Sequence, residues 1–356
     1  TTASNNTAVG KDALKANTTG SENTAVGRDC LTNNTTGGAN TGIGEGALES
    51  NIDGSDNVAI GRNSLEGNTT GNKNHGIGRQ ALYVNTTGSD NTAVGYQSLY
   101  RNTTASNNTA VGYESMHNAT TGHSNTAVGG YALHDGTTGD GNTSVGYTSM
   151  YWRTTGSYNV AVGHEAGRGA ASNDPATGDG NTCVGRGSGE DLRSGSNNLL
   201  LGREAGKNAS PSGTVGTESN RICLGNNDIS HAYVKVSFTV TSDKRDKADI
   251  TDFTHGLSWI NKLRPVTYRW DMRSNYDNGI PDGSKKEDRI NIGLIAQEEL
   301  EVEKEHGFAN DKNDMLITTE NSDGNYGMEY ERLVPILVNA VKELSARVEE
   351  LESKSD

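Results

Sequence analysis

The chain has 356 residues, of which 31% are hydrophobic and 5% aromatic, with a formal net charge of −14 and a mean hydropathy of −0.71. The acidic balance, with an isoelectric point near 5.0, argues against the basic footprint of a nucleic-acid binder, and no apolar stretch approaches the roughly 18–20 residues of a membrane span. Values this polar border on disorder; a repeat gives such a chain a core, by bringing small apolar residues into register. The chain starts at Thr1 without a methionine or signal peptide, so the expectation is a fragment or processed product whose attachment end lies elsewhere.

The repeat is the first element met. Glycines of an N-T-A-V-G word recur at Gly10, Gly27, Gly44, Gly61, Gly78, Gly95, Gly112, Gly129, Gly146 and Gly163, each step being 17 residues. The step lengthens to 22 residues at Gly185, returns to 17 at Gly202 and breaks by 23 at Gly225. Asparagine stands four residues before the glycine from Asn6 to Asn198, an aliphatic residue stands directly before it, and Leu or Met lies four after it from Leu14 to Met150. Each unit offers a short strand and an N-T-T-G turn, in which Gly is expected to supply positive φ and Asn or Thr to bond its own backbone. Seventeen residues leave no room for a crossover helix, so the fold class is mainly β: a parallel β-roll or β-helix stacking at about 4.8 Å per coil.

The asparagines read as backbone caps stacked from coil to coil. The aliphatic residue before the glycine is expected to point into the coil with the Leu. The small residue beside it, as at Ala8, Ala25, Gly42, Ala59 and Ala93, would then face outward and let another subunit approach closely. Cys30, Cys183 and Cys223 stand where other repeats place Ala, Ser or Gly and lack metal-ligand spacing, so they read as small buried residues. No metal and no cofactor is expected. The run N-T-A-V-G-x-x-A-L resembles the head repeats of trimeric autotransporter adhesins, whose unit is shorter; over about residues 1–225 that resemblance implies a left-handed roll and a trimer.

Within the roll, Tyr83, Tyr100, His117, His134 and Tyr151 fall five residues after the glycine in consecutive coils, and Tyr96, Tyr113 and Tyr147 fall one after it. With Trp152 they form aromatic stripes. Stripes of this kind either stack to stabilise the coils or subunits, or contact a host receptor or glycan.

After Gly225, residues 226–241 form a linker in which Val234, Val236, Phe238 and Val240 alternate, predicting a strand. Charges then crowd in, and a small α/β domain is expected over 242–356. Its opening, Ser242-Asp243-Lys244-Arg245-Asp246-Lys247, resembles the start of the intramolecular chaperone domain at the C-terminus of endosialidase-type phage tailspikes and other viral fibres. Leu263-Arg264-Pro265-Val266-Thr267-Tyr268-Arg269-Trp270, Ile292-Gly293-Leu294-Ile295-Ala296-Gln297-Glu298 and Tyr330-Glu331-Arg332-Leu333-Val334-Pro335-Ile336-Leu337 fit the same family in its order. The resemblance implies a self-cleaving dyad, Ser242 as nucleophile and Lys247 as base, cutting between Thr241 and Ser242.

A serine hydroxyl needs a neighbouring base to become a good nucleophile, and neutral lysine can serve. Five residues along a straight helix turn through roughly 500°, putting the two side chains about 140° apart, so the pair requires a bend or a second subunit. The last helix, expected over 330–353, carries Val334, Leu337, Val341, Leu344, Val348 and Leu351 at coiled-coil spacing. That seam either joins copies of the chain or packs on its own domain; Val alternating with Leu leans toward two strands in parallel coils, so it does not by itself establish a trimer. The function expected from the whole sequence is a viral tail fibre or spike shaft, located on the virion, homotrimeric and matured by its chaperone, with no nucleic-acid partner and no membrane insertion. The competing readings are a trimeric adhesin on a bacterial surface and, from the Thr ladder at Thr7, Thr24, Thr41, Thr92, Thr109 and Thr126, an ice-binding array.

Overall fold

Short apolar words separated by glycine turns can satisfy their backbones only by pairing with the next copy, and the chain does so twelve times, joining thirteen strands. The structure, a computed structural model, describes residues 2–170, 174–208, 210–321 and 324–354. Strands of three residues run from β1 (Thr7–Val9) through β6 (Thr92–Val94) and β12 (Leu199–Leu201) to β13 (Ile222–Leu224). All thirteen join one parallel sheet in sequence order, with Thr7 opposite Thr24 and Ala8 opposite Ala25 in the first pair. The fold is a parallel β-solenoid, occupying the first of two compact units, Thr1–Asp228 and Ile229–Asp356.

The stacked asparagines are backbone caps as expected. Asn40 donates from Nδ2 to the Gly54 carbonyl at 2.8 Å and accepts the Asn57 amide at 3.0 Å. The second series, Asn34, Asn51, Asn68 and Asn85, donates to a glycine carbonyl three residues on and to the Asn of the preceding coil, at 2.7 to 3.0 Å. The positive φ expected at the N-T-T-G glycine falls instead at the glycine that ends the strand: Gly27 has φ +143°, and a methyl group there would collide with the Gly44 carbonyl, which no L side chain would tolerate.

The facing of the strand residues is the reverse of the sequence expectation. Ala25, Ala59, Ala93, Ala110 and Ala127 are fully buried with Leu31, Leu48, Leu65, Leu82 and Leu99. Val26, Ile43, Ile60 and Ile77 are exposed by 36 to 41%. The small residue is small because the coil is narrow inside: at Gly42 a Cβ would meet the Cys30 sulfur and the Leu31 side chain. Where the inner volume is redistributed the pairing holds. Leu200 is buried in β12, and Gly189 and Gly206 take the place of the larger inner residue against its methyl groups. The buried leucines occupy the left-handed region, Leu31 at φ 51° and Leu48 at φ 55°. That conformation is held by coil-to-coil bonds such as Leu31 N–H to Ala47 O at 3.0 Å. All three cysteines are buried and free.

In the second unit, residues 229–241 form no strand, correcting the sequence reading; Tyr233, Val236, Phe238 and Val240 are 73 to 91% exposed. Beyond them lie α1 (Leu257–Ile260), the antiparallel pair β14 (Val266–Tyr268) and β15 (Asn291–Gly293), α2 (Ala296–Glu305), the antiparallel pair β16 (Thr318–Glu320) and β17 (Tyr326–Met328), and α3 (Leu333–Ser353). Trp259, Val302, Ile317, Leu333 and Ile336 form the core. The helix α3 starts three residues later than expected, after a 3-10 turn over Tyr330–Arg332, and Pro335 lies in its first turn, where a missing N–H costs nothing. It packs on its own domain through Leu333, Ile336 and Ala340, while all six residues of the expected seam are 47 to 65% exposed.

Candidate functional site: a serine and lysine on a 3-10 turn

The segment after Thr241 is charged and short of apolar residues, so local hydrogen bonds decide its shape. Asp243 is extended (φ −71°, ψ 134°) and caps a single 3-10 turn over Lys244–Asp246, its carboxylate accepting the Arg245 amide at 2.9 Å, an arrangement Asp favours at such positions. The Lys247 amide closes the turn onto the Lys244 carbonyl at 3.2 Å, and Lys247 itself returns to extended backbone (φ −117°, ψ 134°). Its Nζ then donates to Ser242 Oγ at 2.7 Å.

On a straight helix these two side chains would lie about 140° apart, and only a bend or a second subunit would bring them together. This chain contains the bend. The Arg245 guanidinium forks back onto Asp243, with Nε to Oδ1 at 3.1 Å and NH2 to Oδ2 at 2.6 Å. Those hydrogen bonds, first the side-chain and then the backbone one, hold the Asp243 carboxyl below the usual carboxylate range. The whole turn is exposed apart from partial cover at Asp243, so solvent screens its ion pairs.

The aromatic residues singled out in the roll are brought together as two columns. Tyr83, Tyr100, His117, His134 and Tyr151 stack face to face at 4.8 to 5.2 Å with planes within 6° of parallel. Tyr96 stacks on Tyr113 at 5.2 Å, and Trp152 stands edge-on to Tyr151 at 5.3 Å. Stacked rings cover one another's faces and leave mainly their edges outward.

Several residues at the columns escaped sequence reasoning. Tyr131 sits two rather than one after its glycine, at the position of Gln97 and Glu114 in the preceding coils, with Gly130 where those coils have Tyr96 and Tyr113. It joins Tyr113 to Tyr147 edge-on and touches His134 and Tyr151 at 5.8 and 6.0 Å. His134 also lies between Asp135 at 2.8 Å and Glu114 at 3.5 Å. Burial, the larger effect, lowers the pKa of the stacked His117.

A second titratable centre lies in the C-terminal unit. Glu299 is buried, accepts the Trp259 indole N–H at 2.8 Å, and has its carboxyl pushed up to about 7 by burial. Glu303, fully buried, accepts the amides of Leu316, Ile317 and Thr318 at 2.7 to 3.1 Å. Charged residues on a short helix gave no sign of this from spacing. Among the described residues, no group of three His, Cys, Asp or Glu side chains is placed to hold a metal, and no helix is long and apolar enough to cross a membrane.

Comparison with known proteins places the C-terminal segment. Residues 242–308 match the model of a peptidase family described as the chaperone of endosialidase. No curated protein and no solved structure matches the chain. The match opens at Ser242, where the family resemblance of Ser242-Asp243-Lys244-Arg245-Asp246-Lys247 begins.

Proposed function

We propose that this chain is the shaft of a viral tail fibre or spike, folded and trimerised by its C-terminal chaperone, which then cuts itself away between Thr241 and Ser242. A C-terminal segment of the chaperone-of-endosialidase family supports a tailspike-type protein and implies self-cleavage. The observation that carries the finer reading is the 2.7 Å hydrogen bond from Lys247 Nζ to Ser242 Oγ at the first residue of that segment.

In the proposed step, neutral Lys247 takes the Ser242 hydroxyl proton as Oγ attacks the Thr241 carbonyl carbon. The C–O bond forms, the Thr241–Ser242 C–N bond breaks, and the proton passes to the departing amine. Water then hydrolyses the ester, leaving a Thr241 carboxylate and a free Ser242 hydroxyl. The reaction turns over once per chain and has no external substrate.

Self-association is the other half of the reading, with copies of this chain as the partner. The aliphatic ladder of the roll and the α3 seam are both exposed, both repeat in register along the chain, and the seam has coiled-coil spacing. Three copies packed in parallel would cover both. The aromatic columns remain a proposed surface for a host receptor or glycan, contacted through ring edges, and the proposed location is the virion.

The test is size analysis of the full chain, native and denatured. Wild type should yield a fragment of residues 242–356 and a native mass of three chains. Ser242→Ala and Lys247→Ala should each give an uncut chain of the same trimeric state. A wild type that stays uncut in every condition in which it assembles would remove the dyad, and a native mass of one chain would remove the trimer.

A further inference from the structure

The contact between Ser242 and Lys247 is made by neither residue's own backbone preference. Extended chain would separate positions five apart by roughly 16 Å, and one short turn brings the lysine back. A 3-10 turn of three residues is weak by itself, so what holds it matters to the pair. Asp243 contributes on both sides: its carboxylate Oδ1 accepts the Arg245 amide at 2.9 Å, and its carbonyl accepts the Asp246 amide at 3.2 Å. Only the first of these bonds needs the Asp243 side chain. The Arg245 guanidinium occupies the remaining carboxylate positions, but it is 88% exposed in its side chain, where an ion pair contributes little.

We propose that Asp243 is the positioning residue of the Ser242–Lys247 pair, its carboxylate fixing the turn that returns Lys247 Nζ to Ser242 Oγ. The inference rests on the reading of that pair as the self-cleaving dyad. Asp243 touches neither the Thr241 carbonyl nor the transferred proton in this scheme. Its effect is on how often the base lies within reach of the nucleophile. A side chain that accepts the same amide should therefore replace it, whatever its charge.

The experiment follows the single-turnover cleavage rate of the full chain as a function of pH. Asp243→Ala, which loses the cap, should cut about tenfold more slowly, the size expected when a capping side chain is removed. Asp243→Asn and Asp243→Ser, which still accept the amide, should recover most of that loss. Arg245→Ala should change the rate less than about threefold. Asp243→Ala and Asp243→Asn remove the same charge, so the difference in rate between them should persist at every pH and reads geometry alone.

Asp243→Ala cutting at the wild-type rate would overturn the proposal. So would Asp243→Asn failing as badly as Asp243→Ala, which would assign the effect to charge. If wild type and Ser242→Ala are both uncut, the dyad reading fails separately, and the side-chain nitrogen resonance of Lys247 in the uncut chain still decides the positioning. It should move in Asp243→Ala as it does in Ser242→Ala and stay in place in Asp243→Asn. No movement in Asp243→Ala would overturn the proposal whether or not the chain cuts.

Discussion

At the scale of single residues, Glu299 makes the C-terminal unit sensitive to pH in a direction opposite to most carboxylates. Its acid is held well above the usual range by burial, with the Trp259 indole lowering it and Glu303 raising it further. The folded state therefore binds the proton more tightly than the unfolded one. Below the unfolded value near 4.5 both states are protonated and no penalty exists; stability falls as pH rises from there to about 7 and then stays flat. A shift of this size corresponds to about 3 kcal/mol. Glu299→Gln keeps an acceptor for the indole and removes the ionisation, so its melting temperature should exceed that of wild type at pH 8 and match it near pH 4. Trp259 fluorescence reads the transition directly. Equal pH dependence in both proteins would show that Glu299 is ionised without cost.

At the scale of the element, the three-residue strand sorts its residues by size. Ala93 is fully buried and Val94 partly exposed on the opposite side, so the two should respond oppositely to the same substitution. Ala93→Asp puts an unpaired charge inside the coil, at a cost of several kcal/mol, and should leave no cooperative melting. Val94→Asp should leave the coils intact by circular dichroism and weaken association between chains, seen as a lower native mass on dilution. Intact folding of the Ala93 variant would reverse this assignment. The 17-residue period, the parallel stacking and the asparagine caps were all readable from spacing, because each depends on one residue type at one position. Which strand face turns inward was not, since alternation states only that neighbours oppose each other. The deciding fact is the left-handed backbone at Leu82 and Leu99 (φ 53° and 50°), which brings the leucine in behind the alanine. Residues 231–240 alternate like a strand but pair with no other strand among the described residues, and the serine–lysine distance depended on a 3-10 turn that helical geometry did not describe. The motif words at 242–247, by contrast, placed both residues of the candidate pair.

At the scale of the whole molecule, two exposed apolar faces on one polar, acidic chain place folding and assembly in competition. On the proposed reading, a solenoid that has to find identical neighbours in register would be slow to nucleate and open to trapping; a C-terminal chaperone would then act during assembly and be dispensable after it. Expressing residues 1–241 alone should therefore give aggregate, while the same segment released from the full chain should stay soluble. A truncated roll that folds unaided to the native mass would remove the chaperone role. The coil-to-coil bond pattern has one more consequence. Because, among the described residues, each 17-residue coil pairs with the one before and the one after through equivalent backbone positions, length here is a discrete variable. Excising residues 79–95 joins Gly78 to Tyr96 at equivalent points of the repeat and should give a folded molecule shorter by about 4.8 Å, whereas removing eight of those residues should give none. Reach can thus be lengthened or shortened one step at a time by duplication or loss of a unit, without redesigning any contact.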